Sequence, residues 1–137
     1  MTTLVDARLF SSVEPLRLAG SRCTTCGTTT FPVQADCPRC ARRTMAAVEL
    51  PTEGVLWTWT VQAFEPKAPY VAPAEGFQPF PVGYVDLGDV MVEARLDAAP
   101  EDLSVGQPMR LVPFDVLTPS HDTVLGYAFA PQTEATP

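Results

Sequence analysis

The sequence predicts a mostly β protein in which a short helical lead and a rubredoxin-like metal ribbon precede a five-stranded barrel of the OB type. Three observations predict it. Four cysteines stand in two CxxC pairs within eighteen residues. Five later runs have the length and apolar patterning of strands. One short helical turn is predicted between the third and fourth of these.

The lead occupies residues 1–20. Leu4, Leu9, Val13 and Leu16 are its apolar positions and Pro15 interrupts any single long helix, so one or two short helices are expected. The ribbon occupies 21–48. Cys23-Thr24-Thr25-Cys26-Gly27 and Cys37-Pro38-Arg39-Cys40 are separated by ten residues. Two residues between cysteines let one tight turn aim both sulfurs at a single ion, and two such turns complete a tetrahedron. Gly27 and Pro38 suit those turns, because glycine accepts positive φ and proline presets φ. Between them Thr28-Thr29-Thr30-Phe31-Pro32-Val33 is β-branched and aromatic, as a ribbon hairpin requires. Two disulfides would suit a secreted chain, but paired CxxC units form the metal pattern. A redox pair needs only one CxxC, between a strand and a helix, and no such unit surrounds either pair here. A Cys₄ site takes zinc or iron according to availability, zinc being the preferred reading. With Cys23, Cys26, Cys37 and Cys40 all ligating, the coordination shell is closed to water and substrate, so one Zn²⁺ per chain is expected as a structural staple.

The barrel occupies 49–131. Residues 54–64 alternate and place Val55, Trp57, Trp59 and Val61 on one face. Runs 82–87 and 90–96 flank Gly88-Asp89, which suits a hairpin. Runs 110–114 and 124–130 supply the last two strands. Between 99 and 106, Pro100 with Glu101 and Asp102 at the start and Gly106 at the end frame the helical turn. Residues 65–81 stand apart: Pro66, Pro69, Pro73, Pro79 and Pro81 alternate with Tyr70, Phe77 and Phe80. That density predicts a long loop with no strand of its own, and the three aromatics are candidate partner contacts. Residues 132–137 are expected to form a loose tail.

Charge limits the function classes. The chain carries 16 acidic against 9 basic side chains, a formal charge of −7. Residues 21–43 hold Arg22, Arg39, Arg42 and Arg43 against Asp36, net +3, which leaves −10 elsewhere. Arginines beside a tetrathiolate offset its negative charge. Between 54 and 130 the only bases are Lys67, Arg95 and Arg110. OB barrels and ribbons both occur as nucleic-acid readers, but this one offers phosphates no electrostatic groove. A freestanding enzyme lacks its constellation: His121 is the sole histidine and reads as a turn residue, and no fifth cysteine or nucleophile elbow exists. Asp86, Asp89 and Glu93 read as a solvated hairpin edge. A composition of 46% hydrophobic and 18% charged residues excludes general disorder. No run approaches the roughly 18 apolar residues of a membrane span, and the start lacks an export signal, so a cytoplasmic, membrane-free protein is expected.

The knuckles, Phe31-Pro32, the run Gly54-Val55-Leu56-Trp57-Thr58-Trp59-Thr60-Val61, the Pro-rich loop and Pro81-Val82-Gly83-Tyr84-Val85-Asp86-Leu87 together resemble a known family. It is the acyl-CoA-associated zinc-ribbon/OB-fold family, long catalogued as domain of unknown function thirty-five, and the resemblance covers roughly residues 10–130. It implies a small accessory subunit that assembles with a thiolase-like catalytic subunit in acyl-CoA carbon–carbon bond chemistry, either thiolytic cleavage in aromatic degradation or retro-aldol cleavage in steroid side-chain degradation. The acyl-CoA would be shared with that partner. The four zinc ligands carry over, and no catalytic residue does.

Overall fold

The computed structural model describes residues 3–68 and 70–132. Among the described residues nine strands follow one another: β1 (Phe10–Val13), β2 (Leu16–Cys23), β3 (Thr29–Thr30), β4 (Met45–Glu49), β5 (Glu53–Gln62), β6 (Phe80–Asp86), β7 (Met91–Arg95), β8 (Pro108–Leu117) and β9 (Thr123–Pro131). The first four make a small antiparallel sheet around β2. The other five run in the order β7-β6-β5-β8-β9. A parallel bridge between Leu96 and Phe129 brings the two edges together, and the Asp97 N–H donates to the Phe129 carbonyl at 2.8 Å. The result is the nearly closed OB barrel that the five runs predicted, with a single 3-10 turn, Pro100–Asp102, after its third strand.

The helical lead is not found. Residues 3–18 contain one 3-10 turn, Ala7–Leu9, started by an Asp6 carboxylate that accepts the Arg8 N–H, and then the β1–β2 hairpin around Pro15. The reason is long-range pairing. β2 forms a ladder with β4 from Ala19–Glu49 to Cys23–Met45, and that ladder outweighs a weak helical spacing whose apolar residues were never strictly periodic.

A second departure lies in β5. Its register with β6 shifts between Leu56 and Thr58, so Trp57 is the extra residue of a β-bulge. The bulge reverses the phase of the strand. Leu56 is buried and Trp57 points outward, whereas Trp59 packs against the core. The two tryptophans therefore lie on opposite faces, not together. Trp59 fits because β6 carries Gly83 opposite it; a Cβ there would lie 3.0 Å from the Trp59 Cβ and 3.1 Å from Leu96 Cδ1.

Ribbon and barrel share one apolar cluster. Phe31 and Val48 of the ribbon pack against Phe10 and Leu18 of the preceding hairpin and against Leu50, Leu56, Val85, Val92, Leu96, Met109 and Phe129. Phe31 and Phe10 meet Tyr127 edge-on, with ring centres 5.8 and 6.4 Å away. The Tyr127 hydroxyl donates to the Glu93 carbonyl at 3.0 Å, and burial pushes its phenol up to about 12. No helix among the described residues is long and apolar enough to cross a membrane.

Candidate metal centre and the loop over the barrel

The β2–β4 ladder ends at Cys23 and the β2–β3 pairing brings the chain back past it, which fixes the first knuckle. Each knuckle closes in the same way. The Gly27 N–H donates to the Cys23 carbonyl at 3.0 Å, and the Ala41 N–H to the Cys37 carbonyl at 2.7 Å. Both Gly27 (φ 80°) and Ala41 (φ 58°) are left-handed; glycine takes this at no steric cost and alanine does not. The turns also point backbone donors at sulfur: Thr25 and Cys26 N–H at 3.4 Å from Cys23 Sγ, and Cys40 N–H at 3.3 Å from Cys37 Sγ.

All four sulfurs lie within 4.8 Å of one another. Cys23 and Cys40 Sγ are 3.9 Å apart, and Cys26 and Cys37 Sγ are 3.7 Å apart. A tetrahedral ion with bonds of about 2.3 Å would set its sulfurs about 3.8 Å apart, so the donor set fits. The electrostatics agree. Thr44, whose Oγ1 is 3.0 Å from Cys23 Sγ, together with the Cys26 N–H, holds the Cys23 thiol down to about 5. Thr28, at 3.0 Å from Cys26 Sγ, lowers Cys26 below its ordinary value. Contact with the Cys26 sulfur and burial push Cys40 up to about 12. Thiolates this crowded need a cation to be charged together.

Thr28 and Thr44 are site residues that sequence reasoning missed. Thr28 read only as a strand former, and Thr44 reaches Cys23 across the β2–β4 pairing, which leaves no local signal. The arginines are spread unevenly. Arg22 reaches from the ribbon to Asp89 on the β6–β7 hairpin at 3.3 Å, and Arg43 meets Asp36 at 3.5 Å. Arg39 and Arg42 are exposed with no carboxylate within 4.0 Å among the described residues. His121 occupies an exposed turn (φ 66°), its N–H bonded to the Thr118 carbonyl.

The Pro-rich loop gathers its aromatics. Tyr70, Phe77 and Phe80 form a triangle with ring centres 6.1–6.2 Å apart, each half-buried. Phe80 is not purely a loop residue: it opens β6, paired with Gln62, and Pro81 pairs with Val61. The strand thus enters the stretch expected to lack one. The Arg95 guanidinium lies 3.7 Å from the Phe80 ring centre and 4.8 Å from that of Phe114, which ties the loop to the barrel. Beneath it lies a cavity of about 560 Å³ walled by Tyr70, Pro73, Phe80, Arg95, Phe114 and Tyr127. It opens between the loop joining the first two barrel strands and the ends of the last two, where OB barrels commonly hold ligands.

Two family models match consecutive stretches of the chain: the rubredoxin-like zinc ribbon domain of ChsH2 over residues 13–46, and the C-terminal OB-fold domain of ChsH2 over 47–114. A DUF35 domain-containing scaffold protein of Methanocaldococcus jannaschii is 31% identical over 124 residues, spanning 83% of this chain and 81% of the relative. Among solved structures, the Ltp2-ChsH2(DUF35) aldolase superposes with a TM-score of 0.66 at 25% identity, over 91% of this chain and 92% of that one. A DUF35 protein of unknown function from Sulfolobus solfataricus shares the fold, with a TM-score of 0.55 at 17% identity over 77% and 75%. The chain therefore belongs to the DUF35 family, in the ChsH2 arrangement of a rubredoxin-like zinc ribbon followed by an OB-fold barrel.

Proposed function

We propose that this chain is a non-catalytic accessory subunit of a thiolase-fold acyl-CoA complex, carrying one structural Zn²⁺ on Cys23, Cys26, Cys37 and Cys40. The observation that carries the reading is the likeness, over nine-tenths of both chains, to the DUF35 chain of an aldolase built from two named components. The residues present support it. A four-cysteine shell leaves the metal no open position for substrate, and the sole histidine sits in an exposed turn. The work left to such a subunit is to close the mouth of the partner's active site, exclude water and help position the acyl-CoA. Thiolysis or retro-aldol cleavage would then take place on the partner. A nucleic-acid role is disfavoured by the acidic barrel.

Tyr70, Phe77 and Phe80 are the proposed partner contacts, and of these Phe77 is the cleanest probe, because Phe80 also carries Arg95 and opens β6. Co-purification of the thiolase-like subunit with Phe77→Ala, beside thermal melts of the isolated chain, tests the contact. Lost association with an unchanged melt is expected, since interface anchors typically lose about 2 kcal/mol on truncation. Normal association would remove the loop from the interface. A melt that falls first would assign Phe77 to the fold.

A further inference from the structure

The face of the second and third strands is one of the surfaces on which OB barrels bind ligands; here those strands are β6 and β7, with β5 alongside. That face is apolar and uncovered. Val55 is 46% exposed, Trp57 55%, Tyr84 42% and Met91 42%. The pairing makes them contiguous: Val55, Asp86 and Met91 form one row across the sheet, and Thr58, Tyr84 and Glu93 the next. Trp57 stands there because of the bulge, which spends one residue of β5 to turn an indole outward while Trp59 turns in. Bulges of this kind re-aim side chains at functional surfaces, and tryptophan and tyrosine are the residues that most often dominate binding.

The charge of the face selects its occupant. Asp86 and Glu93 stand in the two rows with no ion-pair partner among the described residues, and Asp89 at the hairpin tip is held by Arg22. Neither β5, β6 nor residues 91–94 contain a lysine or arginine. A polyanion is repelled. A protein surface with an apolar socket rimmed by lysine and arginine is complementary.

We propose that the outer face of β5, β6 and β7, centred on Trp57 and Tyr84, is a second docking face for the catalytic subunit, engaging a basic-rimmed apolar socket on it. The inference rests on the assembly proposed above and adds a separate place of contact. Trp57 lies five residues along β5 from Gln62, where the Pro-rich loop begins, roughly 17 Å at about 3.3 Å per residue. Loop and face can therefore fail independently.

The test measures binding of the purified thiolase-like subunit to the full metal-loaded chain and to three variants: Trp57→Ser with Tyr84→Ser, Glu93→Lys alone, and Phe77→Ala. Melts and metal content are recorded for each. The double variant is expected to bind about 30-fold or more weakly with its melt unchanged. Glu93→Lys, on the solvent side of the strand, is expected to slow association and flatten its salt dependence; it keeps the proposal open to refutation should the double variant fold poorly. Normal binding by both face variants overturns the face. If Phe77→Ala alone loses binding, the assembly stands and the face falls; if the unmodified chain does not bind the subunit, both fall. A dimer of the chain by itself that dissociates on Trp57→Ser, or single-stranded DNA retained by the face, would overturn the proposal by assigning the face to another occupant.

Discussion

The ribbon and the barrel are held by different physics. In the barrel Leu56, Val85, Val92, Leu96, Met109 and Phe129 exclude water almost completely, and this cohesion is non-directional and spread over many side chains. In the ribbon β3 is two residues long, and its fully buried side chains are Ser21, Cys23 and Cys37. Its cohesion is directional and concentrated on four sulfurs and the threonine and backbone donors around them. A distributed core degrades by degrees, whereas a four-point centre fails as a unit. The two are also joined, because Phe31 and Val48 of the ribbon pack against the barrel's cluster, so loss of the ribbon uncovers one flank of the barrel.

The largest effect should come from breaking the centre. Chelation at neutral pH or Cys37→Ser is expected to release the metal and open residues 21–48 to limited proteolysis, because a structural zinc of this kind contributes on the order of 10 kcal/mol to folding. Soluble yield should fall with it. A metal-free Cys37→Ser chain with the parent melt would abolish the contrast between the two ends.

A smaller, graded loss is expected in the barrel. Phe129→Ala should lower stability by about 3–5 kcal/mol, the usual range for removing a buried ring, while metal content per folded chain stays at one. Denaturant titration with metal analysis separates the two readouts. If the metal is lost in parallel, ribbon and barrel form one cooperative unit.

The junction supplies the smallest effect. Tyr127→Phe removes the hydroxyl bond to the Glu93 carbonyl and should cost about 1 kcal/mol. It also tests a pH dependence whose sign is fixed. The Tyr127 phenol titrates at about 12 in the fold against about 10 in an unfolded chain. Between these values the unfolded state loses a proton that the folded state keeps. Stability from this group is therefore complete below pH 10 and declines as pH rises toward 12. Titrations at pH 9 and pH 11 should show the parent chain losing more stability than Tyr127→Phe over that interval. Equal losses would show that the phenol is not buried against the ribbon.

How far the sequence was legible follows from the same contrast. The cysteine cluster is local in sequence, so the gathering of Cys23, Cys26, Cys37 and Cys40 could be read from spacing alone. The barrel strands could be read because a half-buried strand leaves an alternation in its own residues. What was not legible depends on pairing between distant segments. Leu16 and Leu18 lie in a strand that pairs locally with β1 and whose continuation, Ala19–Cys23, pairs with the distant β4 at Met45–Glu49. The bulge at Trp57 depends on the register of β6, so strict alternation placed both tryptophans on one face when the fold divides them. Phe80 looked like a loop residue beside its prolines, yet the first two positions of β6 accept both it and Pro81. Arg95 drew no attention as a lone base, since its partners Phe80 and Phe114 lie on other strands.

The most direct measurement of the functional claim is acyl-CoA carbon–carbon cleavage by purified components. This chain alone, the thiolase-like subunit alone and the two together would be assayed with the same thioester. The expected result is no turnover by this chain at any metal loading, little by the partner, and full turnover only by the pair, because a closed Cys₄ shell and an exposed turn histidine offer no reacting group. Turnover by this chain alone, or a partner fully active without it, would contradict the proposed role.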